Sequence, residues 1–198
     1  MPSRRTFLTA LAGPFAAAVG TRTARAQAGA PAANMSRVTA FAFRFARLDG
    51  GSIDLADHAG KPILIVNTAS LCGYTPQYAG LQELWTRYRA RGLLIVGVPS
   101  NDFGGQEPGD AAAISATAEG QYGASFPIAA KADVDGDRAH PFYKWAATQR
   151  PLERPKWNFH KYLIGRNGMI AASFPSAVEP TDPRVIAAIE KELAPASN

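Results

Sequence analysis

Lys61-Pro62-Ile63-Leu64-Ile65-Val66-Asn67-Thr68-Ala69-Ser70-Leu71-Cys72-Gly73-Tyr74-Thr75-Pro76-Gln77-Tyr78 joins three signals in one stretch. Ile63 to Asn67 is a continuous apolar run, suited to a central strand buried on both faces. Tyr78, Leu81, Leu84, Trp85 and Tyr88 then recur at helical spacing, so a helix is expected to open at Thr75-Pro76 and to end at Gly92. Between strand and helix stands Cys72, the single cysteine of the chain. A sulfur just ahead of a helix N-terminus meets unpaired backbone N–H groups and the positive end of the helix dipole, which favour thiolate over thiol. The competing reading is a small buried hydrophobe, because free cysteine is among the most buried residue types.

Working outward, Leu93 to Val98 reads as a second buried strand, parallel to the first by the right-handed crossover rule. Upstream, Val38 to Leu48 and Ser52 to Leu55 flank Asp49-Gly50-Gly51 and read as a β-hairpin. Downstream, Ala111 to Tyr122 favours a helix capped by Asp110, and Pro141 to Thr148 another. Phe159 to Ile164 and Met169 to Phe174 flank Asn167-Gly168 and read as a second hairpin. Asp182 and Pro183 open a closing helix, Val185 to Leu193. This order predicts an α/β domain of the thioredoxin-like fold, a central mixed sheet flanked by helices.

Three segments together resemble the glutathione peroxidase family. The quoted stretch resembles its first signature, with Cys72 at the peroxide-reducing position. Pro99-Ser100-Asn101-Asp102-Phe103-Gly104-Gly105-Gln106-Glu107-Pro108-Gly109 resembles the second, and Lys156-Trp157-Asn158-Phe159 the third. Ala139-His140-Pro141-Phe142-Tyr143-Lys144-Trp145 also has a family look, and the resemblance runs from about Phe41 to Leu193. It implies a catalytic tetrad of Cys72, Gln106, Trp157 and Asn158, and a thiol-dependent peroxidase acting on hydrogen peroxide or organic hydroperoxides through a Cys72 sulfenic acid. The reductant it implies is glutathione or a thioredoxin-like protein. A periplasmic redox sensor that passes oxidation to a partner protein uses the same first step and differs only in turnover.

The departures are specific. Many cysteine-type members carry a second, resolving cysteine; its position here is Ala118, and the cysteine of the second signature is Ser100. An intramolecular disulfide is impossible, so an oxidised Cys72 must be resolved by an external thiol or form an intermolecular link. Asp102 replaces a usual glutamine and Val98 a usual phenylalanine; an acid near the thiolate would oppose its ionisation, while in a turn it can equally point to solvent. Lys156, Lys161, Arg150 and Arg154 lie near Trp157-Asn158 in sequence, either as a glutathione carboxylate site or as a solvated basic edge. His160, on an expected strand, would share a face with Asn158, with a surface position as the plainer reading.

Ser3-Arg4-Arg5-Thr6-Phe7-Leu8 is close to the twin-arginine export motif, and Ala24-Arg25-Ala26 has the form of a cleavage site. Residues 1–26 are therefore expected to be a twin-arginine signal peptide, 27–36 a linker and 37–198 the peroxidase-like domain, working in the periplasm. The apolar stretch from Phe7 to Gly20 is shorter than the roughly 20 residues of a bilayer span, so no stable membrane anchor is expected. Arg4, Arg5, Arg22 and Arg25 account for most of the formal +5, leaving +1 for the rest. Such a balance argues against nucleic acid as a partner. His58, His140 and His160 stand far apart and no dinucleotide or P-loop fingerprint is present, so neither metal nor cofactor is expected. The short connection between Trp145 and Trp157 resembles that of monomeric family members.

Overall fold

The computed structural model describes residues 38–195. The signal peptide, cleavage site and linker expected within residues 1–36 lie outside them. The central sheet has four strands in the order β4-β3-β5-β6. They are β3 (Ile63–Thr68), β4 (Leu94–Pro99), β5 (Lys161–Ile164) and β6 (Ile170–Phe174), preceded by a two-stranded hairpin of β1 (Arg44–Ala46) and β2 (Ser52–Asp54). β3 runs parallel to β4, with Ile63 opposite Leu94 and Thr68 opposite Pro99, and antiparallel to β5, with Val66 opposite Lys161. The sheet is therefore mixed.

Every residue of β3 and β4 is buried. Alternation splits them between two cores. Leu64 and Val66 pack with Tyr78, Leu81, Phe159, Leu163, Val185 and Ile189, beneath α1 (Gln77–Tyr88) and α4 (Pro183–Leu193). Ile63 and Ile65 pack with Val96, Phe142, Tyr162 and Ile164 on the opposite face, beneath α3 (Pro141–Gln149). Asp182 caps α4, accepting from the Arg184 N–H at 2.9 Å. Gly92, at φ 105°, turns the chain after α1.

Four expectations shift at their edges. The first strand shrinks to Arg44–Ala46, because Ala40–Ala42 forms a 3₁₀ turn anchored by the Ala40 N–H on the Gly168 carbonyl, 2.8 Å. The helix expected from Ala111 to Tyr122 is α2 (Ala111–Ser115) followed by a π-helical stretch, Ala116–Gln121. There the Thr117 hydroxyl takes the Ala113 carbonyl at 3.2 Å and the Tyr122 N–H reaches the Thr117 carbonyl five residues back. α1 begins at Gln77, after a series of tight turns through residues 72–76. β5 begins at Lys161 because Phe159 has φ 63°, a left-handed conformation no strand contains.

This topology gathers three loops at one end of the sheet. β3 and β4 are parallel and both leave the sheet at that end, whereas β5 is antiparallel to them and enters there. Residues 69–76, 100–110 and 155–160 are thereby neighbours, although they are separated in sequence by up to about ninety positions.

Candidate active site

Cys72 sits in the turn between β3 and α1, 7% exposed. Its turn is closed by Thr75, whose Oγ1 accepts the Cys72 N–H at 3.0 Å and lies 2.7 Å from the Cys72 carbonyl and 2.9 Å from that of Ala69. The Tyr74 N–H donates to Cys72 Sγ at 3.4 Å. A backbone donor thus faces the sulfur two residues on, supplied by the turn rather than by the regular helix.

The second loop reaches the first through its main chain: the Leu71 N–H donates to the Gln106 carbonyl at 3.0 Å. Gly104 and Gly105 precede Gln106 at φ 69° and 62°, left-handed geometry that other residues adopt only with strain. A β-carbon on Gly104 would also stand 3.2 Å from the Trp157 ring. The second signature therefore turns tightly beneath the indole.

Trp157 and Asn158 arrive on the third loop and are pinned by β3. The Asn67 side-chain amide donates to the Trp157 carbonyl at 3.1 Å, and the Phe159 N–H donates back to the Asn67 carbonyl. Asn158 is fully buried, and its amide nitrogen donates to the Phe103 carbonyl at 3.3 Å and to Gln106 Oε1 at 2.9 Å. Because the Phe103 carbonyl can only accept, it fixes which way the Asn158 amide faces. Gln106 must then turn its oxygen to Asn158, leaving its own NH₂ free to donate. Trp157 is 39% exposed and packs against Phe103 with ring centroids 6.1 Å apart; no hydrogen bond among the described residues uses its indole N–H. The structure joins Gln106, Trp157 and Asn158 into one connected cluster and ties it to the Cys72 turn through Leu71.

A family model for glutathione peroxidase matches residues 40–147. The chain is 47% identical over 136 residues to the glutathione peroxidase-like peroxiredoxin GPX5 of Chlamydomonas reinhardtii, covering 67% of this chain and 84% of that protein. It is 42% identical over 164 residues to the hydroperoxy fatty acid reductase gpx1 of Synechocystis, covering 78% of this chain and 96% of that one. The chain belongs to the glutathione peroxidase family. It is a thiol-dependent peroxidase of thioredoxin-like fold. The crystal structure of T. cruzi GPX1 superposes with a TM-score of 0.64 at 30% identity, over 81% of this chain and 100% of that one. The family model ends before Trp157-Asn158, and the third loop is tied to the other two by its hydrogen bonds.

Several expectations about residues around this glutathione peroxidase site are corrected. Asp102 is engaged elsewhere: its Oδ2 accepts the backbone N–H groups of Val134 at 2.6 Å and Asp135 at 3.1 Å, holding the 133–136 loop. The four basic residues do not form one site. Arg154 pairs with Asp135 at 2.8 Å, and Arg150 with Glu153 at 3.4 Å and the Ile170 carbonyl at 3.0 Å. Lys161 is fully buried, and Lys156 alone of the four is exposed without a partner among the described residues. His160 is neither a surface residue nor on a strand face with Asn158, since Phe159 breaks the alternation. It is buried beside the Ser173 hydroxyl at 3.0 Å, and burial, then the Lys161 charge, push its pKa down to about 4. Ala118 is fully buried against the first core.

The sequence reading missed Thr75, Asn67 and Gln77. Each had a signal: a polar residue ending or following an apolar strand, where burial without a partner is costly.

Proposed function

We propose that Cys72 is the peroxidatic residue and that Gln106, Trp157 and Asn158 serve its reaction with hydrogen peroxide or an organic hydroperoxide. The observation that carries this reading is the double attachment of Gln106, by its carbonyl to the Cys72 turn and by its side chain to Asn158. In this scheme the Cys72 thiolate attacks one peroxide oxygen and the O–O bond breaks. The leaving oxygen takes a proton and departs as water or an alcohol. Sulfur, having given two electrons, is left as sulfenic acid. The Gln106 NH₂ and Trp157 indole N–H donate to the charge building on the leaving oxygen, while Asn158 orients Gln106. One external thiol then condenses with the sulfenic acid, releasing water and leaving a mixed disulfide. A second thiol displaces the first as a disulfide and restores Cys72.

Glutathione or a thioredoxin-like protein supplies those thiols in this reading, because the chain holds no second cysteine. Export through the twin-arginine pathway to the periplasm rests on the Arg4-Arg5 motif. An Arg4→Lys, Arg5→Lys precursor is expected to stay in the cytoplasm, and normal export of it refutes the assignment. A monomer is proposed from the short Trp145–Trp157 connection, and light scattering of reduced protein that gives a dimer mass rejects it.

The test of the chemistry is peroxide consumption by mature protein with excess glutathione, then with a thioredoxin system, using Cys72→Ser as blank. Sustained turnover that Cys72→Ser abolishes is expected. One stoichiometric oxidation without turnover with either reductant would instead mark a sensor awaiting its own partner.

A further inference from the structure

Lys161 opens β5 in an otherwise apolar strand and is fully buried. Its ammonium has three donors and meets three acceptors: Gln77 Oε1 at 2.6 Å, the Phe159 carbonyl at 2.7 Å and the Val178 carbonyl at 2.6 Å. Among the described residues no carboxylate lies within ion-pair distance of it. A buried charge balanced only by neutral acceptors is expensive, and an apolar side chain of similar volume is often as stable or more so. Stability alone is therefore a poor account of this lysine.

Its bonds lead to the site. Gln77 is the first residue of α1, the helix that follows the Cys72 turn. Its amide nitrogen donates to the Ser176 carbonyl at 2.7 Å and to Glu179 at 3.3 Å, so its oxygen is obliged to face Lys161. Phe159, the other end of the clamp, is the one described non-glycine residue at positive φ, a conformation that persists only with outside support. Phe159 is also the neighbour of Asn158.

We propose that Lys161 is a positioning residue for peroxide reduction: its ammonium clamps the Trp157–Phe159 turn to the first residue of α1 and so sets Asn158 against Gln106. The assignment rests on the tetrad reading given above. Only the protonated form serves all three acceptors. A neutral amine has two N–H groups and a lone pair, and faces three oxygens that cannot donate to it. Burial pushes the Lys161 pKa down to about 8, with Glu179 pulling it partly back. The other groups around the ammonium do not share the charge: His160 is neutral above pH 7, and α1 and the 176–178 segment contribute amide oxygens.

Folded Lys161 thus loses its proton near pH 8 while the unfolded chain keeps it to about 10.5, so in that window its contribution to stability rises with pH. The clamp loses one of its three bonds over the same window. Activity and stability are expected to move in opposite directions.

The experiment is the rate constant for single oxidation of Cys72 by hydrogen peroxide, by stopped-flow, in mature wild-type and Lys161→Met protein from pH 6.5 to 9.5. The two are compared as the ratio of wild type to variant at each pH. A ratio of about ten or more at pH 7, falling steadily above pH 8, is expected, with a melting temperature for Lys161→Met equal to or above wild type. A ratio of one at pH 7, or one constant with pH, overturns the proposal. If Lys161→Met does not fold, Gln77→Leu reads the clamp from the helix side, and a wild-type rate constant for it is equally decisive. Where both variants fold, the double variant should be no slower than the slower single one. Asn158→Ala is measured alongside. A slow Asn158→Ala with a fast Lys161→Met removes the clamp alone, whereas wild-type rates in Asn158→Ala remove the tetrad reading beneath it.

Discussion

The Cys72 turn and the Trp157–Lys161 turn face one site and are built by opposite means. The first closes largely on itself: Thr75 binds main-chain groups of Cys72 and Ala69, three and six residues back. The second has few bonds of its own, and is held by Asn67, Gln106 and Gln77 at sequence separations of 90, 52 and 84. A nucleophile on a locally determined turn keeps its place whenever β3 and α1 form. The groups proposed to act on the leaving oxygen are in place only once the sheet has brought distant strands together. The second turn is therefore the one that single distant substitutions can disturb.

That contrast can be broken by experiment. Asn158→Ala should lower the rate constant for Cys72 oxidation by about a hundredfold, the size of effect seen when one donor of a charge-stabilising site is lost or misplaced, with little change in the far-ultraviolet circular dichroism spectrum. A loss below threefold in stopped-flow oxidation would mean that Gln106 holds its orientation without Asn158. The next effect is on stability. His160 has a folded pKa of about 4 against an ordinary 6.5. The unfolded chain therefore binds the extra proton first, and stability is fully present above pH 6.5 and lost as pH falls towards 4. The loss attributable to this residue is about 3 kcal/mol. Urea unfolding of His160→Phe should show a flatter slope between pH 6.5 and 4, and an unchanged slope refutes the assignment.

Thr75→Val tests the local turn. It leaves the Cys72 N–H without its partner, and should cost about 1–3 kcal/mol in urea unfolding while leaving the Asn158–Gln106 pair intact. If it slows Cys72 oxidation no more than Asn158→Ala does, the division of labour between the turns is sharpened. The smallest effect is expected from Arg154→Ala, which breaks a half-exposed ion pair with Asp135 worth about 0–1 kcal/mol. Glutathione-dependent turnover should be unchanged, and a rise in the glutathione requirement would restore Arg154 to the reductant's path.

The legibility of the site followed the same division. β3, α1 and the place of Cys72 between them were readable because an apolar run and a helical period are properties of neighbouring residues. The tetrad was named through resemblance, as four positions without geometry. Lys161 and His160 were misplaced because Lys and His in isolation read as surface residues. Their burial depends on Gln77, Val178 and Ser173, which are near only in the folded chain. Asp102 read from the sequence as an acid close to Cys72; in the fold its Oδ2 takes two N–H donors of the 133–136 loop, partners more than thirty positions away.

By itself, the sequence determined the alternation of strands and helices, the single cysteine and hence the absence of an internal resolving thiol, and the family. Tertiary structure decided which atoms of those residues meet. The Phe103 carbonyl orients Asn158, Asn158 orients Gln106, and a buried ammonium spans from Phe159 to the first residue of α1. The physical reason is range: periodicity and turn chemistry act over a few residues, whereas hydrogen-bond direction and burial are set by whatever the sheet's strand order places alongside.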